Sequence, residues 1–181
     1  MLIYILIGIA VIIAVLVIVV ALQPTEFRIT RSATIPAPTP NVFAQVNDFH
    51  NWNAWSPWAK MDPMAKNSFA GAPSGEGAIF SWAGNKKVGE GRMTMMESRT
   101  NELIRIKLEF LKPFQATNLA EFSFQPVSGG TLVTWSMSGK NSFMAKAFVL
   151  VMNCDKMVGG DFEKGLANLK DVTSGEFATR H

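Results

Sequence analysis

The first 22 residues, MLIYILIGIAVIIAVLVIVVAL, carry no charged side chain. As an α-helix they rise about 33 Å at 1.5 Å per residue, enough to cross the hydrocarbon of a bilayer. A run that is apolar on every side has no polar face to turn to water, so it does not suit the surface of a small soluble domain. No lysine or arginine precedes it. It outlasts the apolar stretch of a secretory signal, and Val20-Ala21-Leu22-Gln23-Pro24 is a poor cleavage site. Residues 1–22 therefore read as an uncleaved, single-pass transmembrane anchor. Arg28 and Arg31 follow the span while only the α-amine precedes it, and the positive-inside rule then puts the rest of the chain in the cytoplasm.

After a linker at 23–25, residues 26–171 have the size of one domain built on one core. Residues 172–181 read as a flexible tail. Cys154 is the single cysteine in 181 residues, which excludes an internal disulfide framework and any multi-cysteine zinc site. The net charge is +3, with acids and bases interspersed. No block of lysine and arginine marks a nucleic-acid footprint.

Phe27 to Ile35 alternates and contains β-branched residues, which predicts a first strand. Thr39-Pro40 supplies an N-cap and a proline suited to the first helical position, ahead of Val42, Phe43, Val46 and Phe49 at helical spacing. Trp52, Trp55 and Trp58 follow within seven residues, and the first two share a face if the segment is helical. Glycines at 71, 75, 77, 84, 89 and 91 punctuate short, bent strands. Period 2 is plain in Ile104/Ile106/Leu108/Phe110, in Ala120/Phe122/Phe124 and in Val133/Trp135/Met137. Strands joined by turns without helical crossovers predict an antiparallel sheet. From the Ser142 N-cap, a stripe of Phe143, Ala147, Leu150, Cys154, Val158, Phe162, Leu166 and Leu169 predicts one helix of roughly 27 residues. Gly159-Gly160 inside it signals close packing, or room for a ligand beneath the helix.

This order of elements resembles the helix-grip fold of the START-like (SRPBCC) superfamily, most nearly its polyketide cyclase/dehydrase and lipid transport branch. The stretch Ile35-Pro36-Ala37-Pro38 into Val42-Phe43 is similar to that family's exit from strand one. Trp52-Asn53-Ala54-Trp55-Ser56-Pro57-Trp58 is similar to its tryptophan-proline segment, and Gly130-Thr131-Leu132-Val133-Thr134-Trp135 to its Gly-Thr-x-Val-x-Trp strand. Met157-Val158-Gly159, Asp161-Phe162 and Gly165-Leu166 are similar to its last helix. The resemblance implies an α+β fold: an antiparallel sheet wrapped around a long C-terminal helix, with a cavity between them.

Chemistry is sparse. His181 ends the chain, His50 is isolated, and Cys154 lies on an apolar stripe where a buried, inert thiol is the default. The three inward strand sets carry no ionisable group, while Arg105, Lys107, Glu109 and Glu121 fall on the opposite face. No catalytic residue, metal ligand or cofactor site is assigned. The cavity lining expected from the fold comprises Trp55, Trp58, Trp82, Met93, Met95, Leu108, Phe110, Phe122, Phe124, Trp135, Met137, Cys154 and Val158. Such a lining suits a lipid-like or other hydrophobic small molecule. Two other functions stay open: a cyclase or dehydrase acting on a polyketide-like substrate, and a protein-interaction module using the tryptophan segment as its contact. Neither ligand identity nor oligomeric state is legible in the sequence.

Overall fold

The computed structural model describes residues 1–151 and 154–178. Helix α1 (Leu2–Ala21) leads into β1 (Glu26–Ile35), then α2 (Thr39–Asn47) and α3 (Trp52–Trp55), the last flanked by 3-10 turns at Phe49–Asn51 and Pro57–Lys60. Six strands follow in succession: β2 (Lys66–Gly71), β3 (Ala78–Ala83), β4 (Glu90–Arg99), β5 (Leu103–Lys112), β6 (Ala116–Val127) and β7 (Gly130–Lys140). Helices α4 (Phe143–Val151) and α5 (Cys154–Ala178) close the fold. All seven strands form one antiparallel sheet in the order β1-β7-β6-β5-β4-β3-β2.

The alternation in the sequence sets which face is dry. Ile104, Ile106, Phe122 and Val133 are fully buried, and Trp135 and Phe124 nearly so. On the other face, Arg105 bonds Glu97 at 2.7 Å and Glu121 at 2.9 Å, and Arg92 bonds Glu109 at 2.9 Å. Such exposed pairs organise a wet surface and add little stability.

The core is aromatic. Trp52 and Trp55 share a face of α3 with ring centres 4.7 Å apart, and their indole N–H groups donate to Val46 and Gln45 carbonyls. Trp135 is stacked between Phe122 at 4.7 Å and Phe162 of α5 at 4.1 Å, with the Trp58 edge against it at 5.7 Å. Gly165 makes room there, since a Cβ at that position would press on both Trp135 and Pro57. The interior beneath the middle of α5 is thus filled by side chains.

The structure revises several expectations. Thr39 is the first residue of α2, not its cap: its hydroxyl is buried and bonds the Thr131 hydroxyl at 3.0 Å. Phe49 belongs to a 3-10 turn beyond α2. The described residues of the expected terminal helix are helical over Phe143–Val151 and Cys154–Ala178, with residues 152 and 153 outside the described ones. The expected stripe is not covered along its whole length. Phe162, Leu166 and Leu169 are buried, whereas Phe143 and Leu150 of α4 are exposed. Ser142 does act as a cap, its Oγ accepting from the Ala145 N–H. Helix α5 also continues past Asp171, so Val172 and the buried Thr173 belong to it and not to a tail.

Arg31 lies on the inward register of edge strand β1, opposite Trp135 of β7. Its guanidinium bonds Glu163 at 2.7 Å and Asp155 at 3.0 Å, clasping α5 to the sheet edge. A Cβ at Gly159 would overlap that guanidinium, which explains one of the paired glycines as close packing; nothing lies near Gly160.

Helix α1 stands apart. Its residues are exposed except Val20, near the end where it meets α4. It is long and apolar enough to cross a membrane.

Candidate functional site: a cleft beside α4

One concavity lies between α4 and the ends of β1, β5, β6 and β7. This cleft of about 370 Å3 is bounded by Phe27 of β1, Phe110 and Lys112 of β5, Pro113 and Phe114 of the following loop, Ala116 and Asn118 of β6, and Lys140 and Asn141 at the end of β7. Ala145 and Phe148 of α4 and Cys154 at the start of α5 complete the lining. A larger concavity of about 790 Å3 lies over the ends of β1, β5, β6 and β7. Arg28, Lys107, Thr117 and Ser138 of the wet face contribute to it, beside Phe27, Asn118 and Lys140 that it shares with the smaller cleft.

Each wall of the cleft follows from local sequence. Inward positions of β5, β6 and β1 bring Phe110, Asn118 and Phe27 to the floor, in register with Gly91, Leu108 and Gly139. Gly139 is required beside Asn118, because a Cβ there would overlap the Asn118 amide. The Ser142 cap starts α4 just past β7, and Ala145 and Phe148, three apart on one face of it, line the cleft.

Asn118 is the buried polar group of the floor. Among the described residues, its side chain makes one weak hydrogen bond, Nδ2 donating to the Met137 thioether at 3.8 Å. A buried amide with so weak a partner is poised to accept or donate to a guest. Lys112 and Lys140 put positive charge at the rim, Lys112 also meeting Glu90 at 2.8 Å. Among the described residues, no carboxylate or histidine lines the cleft. No group of three or more His, Cys, Asp or Glu side chains among the described residues is arranged to hold a metal ion.

Of the lining expected from sequence, Phe110 and Cys154 reach this cleft. Trp55, Met93, Met95, Phe122, Phe124, Trp135 and Met137 are in the buried core, with Trp58, Trp82, Leu108 and Val158 packed against it. Cys154 is half-buried and borders the opening, not sealed in a core. Phe27, Phe114, Asn118, Ala145 and Phe148 were missed. Alternation could have flagged Phe27 and Asn118 as inward, but only the tertiary turn of α4 brings the rest beside them. Trp52 and Trp55 are buried and so present no contact surface to a partner. His50 is exposed, bonded to Asp48 at 2.7 Å and stacked on Phe69 at 4.0 Å.

The titrating groups that shift lie away from the cleft lining. Hydrogen bonding to Arg31 holds the Asp155 carboxyl below the usual carboxylate range. The same bonds to Asp155 and Glu163 raise the Arg31 guanidinium further. Lys107 and then Arg92 lower Glu109 on the outer face.

A seven-stranded antiparallel sheet gripping a C-terminal helix, with an apolar opening at one end, defines the helix-grip class of α+β domain. The chain matches the family described as polyketide cyclase / dehydrase and lipid transport across residues 26–173, and it belongs to that family. No curated protein matches it. Among solved structures, it is similar to protein CV1439 from Chromobacterium violaceum, with TM-score 0.58 and 13% identity over 83% of this chain and 98% of that one. It is similar to KanY, with TM-score 0.61 and 13% identity over 84% and 99%. The di-domain ARO/CYC protein StfQ of the steffimycin biosynthetic pathway gives TM-score 0.61 and 8% identity over 85% of this chain and 52% of that one. At these identities the likeness is one of fold.

Proposed function

We propose that this protein is a membrane-anchored binding domain for a single hydrophobic small molecule, a one-chain amphiphile with an anionic head. The observation that carries the reading is the cleft itself. Its aromatic and aliphatic walls surround one under-used amide, with two lysines at the rim. A volume of about 370 Å3 is at the lower end of the roughly 300–1,000 Å3 usual for small-molecule sites, which suits one chain better than two. The anchor is α1, and the positive-inside bias places the domain on the cytoplasmic side. Water exclusion and shape hold the guest. The lining offers no paired acid and base for general catalysis.

The test is photo-crosslinking of full-length protein in proteoliposomes with a diazirine analogue of palmitate. Saturable labelling of peptides containing Phe114, Phe148 or Cys154, competed by excess palmitate, is expected. Labelling confined to α1, or not competed, would refute the reading.

A further inference from the structure

We infer that the open rim of the cleft is a lipid-docking surface, pressed onto the same bilayer that α1 enters, so that the cleft opens directly to the membrane; this rests on the anchored-binder reading. Two of the cleft's lining residues, Phe114 and Phe148, are 80% and 52% exposed, and Phe143, Met144 and Leu150 of the same helix as Phe148 are exposed as well. Exposed apolar residues scattered singly need no explanation, but several on one helix bordering an opening do.

Continuity with α1 identifies the occupant. Lys146 of α4 reaches back to the Ala21 carbonyl at 3.5 Å and to the Thr25 hydroxyl at 3.0 Å, and the Asn141 N–H donates to the Thr25 carbonyl at 2.7 Å. Helix α4 is therefore fastened to the point where the apolar helix ends. Ala145 and Phe148 of the same helix line the cleft together with Phe114 of the β5–β6 loop. The helix that forms one wall of the cleft is thus the one held at the exit of the span. Lys112, Lys140 and Lys146 are interspersed with the apolar groups, the composition that binds an interface carrying anionic headgroups. The opposite end of the sheet, at the β6–β7 turn, carries Ser128 and Gly129.

The test uses full-length protein with Cys154→Ala, reconstituted in phosphatidylcholine–phosphatidylglycerol vesicles. Single cysteines at Phe114→Cys, Met144→Cys and, as control, Ser128→Cys carry an NBD fluorophore. Doxyl-labelled lipids should quench the first two several-fold more than the control. Equal quenching at all three sites overturns the inference. So does a blue-shifted, lipid-insensitive signal that grows with protein-to-lipid ratio, which would place a second copy on the rim. Extraction of the protein by alkaline carbonate removes the anchor and the inference with it. Quenching at the rim without competed palmitate crosslinking would refute ligand binding alone; crosslinking without quenching would refute lipid docking alone.

Discussion

Gly159 and Gly160 occupy adjacent positions in one helix and answer to different neighbours. A methyl at Gly159 meets the Arg31 guanidinium, whereas one at Gly160 meets open space. Gly160→Ala is expected to stabilise the domain by about 0.5–1 kcal/mol through the lower entropy of its unfolded chain. Gly159→Ala forfeits that gain by displacing Arg31 from Asp155 and Glu163. Urea denaturation of the two variants side by side distinguishes them, and equal stabilisation would contradict the clasp. Phe162 is 2% exposed and lies flat on Trp135. Phe162→Ala should cost about 3–5 kcal/mol, read as a lowered urea midpoint at unchanged slope. Residue types and strand alternation made these core positions legible. Arg31 was not legible as an inward residue, because burying a charge at that register is tolerated only where two acids of a distant helix meet it.

At the scale of elements, α4 decides where the fold is open. The strands, their antiparallel order and the helical end were readable from periodicity, since each face needs its own apolar set. The uneven burial of the terminal helical residues was not: their apolar stripe runs on through Phe143 and Leu150, which stay exposed while Phe162, Leu166 and Leu169 are covered. The candidate cleft lies at the end of the sheet. There the large aromatics give way to Ala116, Ala145 and Asn118. Filling this gap should abolish occupancy without unfolding the domain. Ala145→Trp is expected to reduce competed palmitate crosslinking several-fold, with the far-ultraviolet circular dichroism unchanged. Retained crosslinking in a folded variant would show that the guest sits elsewhere.

For the whole molecule, the groups that shift among the described residues do so toward their charged forms, Arg31 and Arg105 upward, Asp155 and Glu109 downward. Asp155 and Glu109 are held below their ordinary values by cationic partners. Their contribution to stability is complete above the unfolded carboxyl pKa near about 4 and disappears as pH falls through the lower folded value. Stability arising from these groups should therefore be flat from pH 5 to 8 and decline in stronger acid. Asp155→Asn should reduce that acid-side decline, as followed by urea midpoints across the range; an unchanged acid limb would contradict the pairing with Arg31. In the proposed function, a hydrophobic guest sits in the cleft beside α4, outside the packed tryptophan core. Cys154 reports on that directly because it borders the cleft and is the only thiol. The decisive measurement is the rate of maleimide labelling of Cys154 in full-length protein in proteoliposomes, with and without palmitate at the concentration that saturates crosslinking. Several-fold slower labelling with palmitate is expected, and an unchanged rate under saturation would contradict the assignment of the cleft.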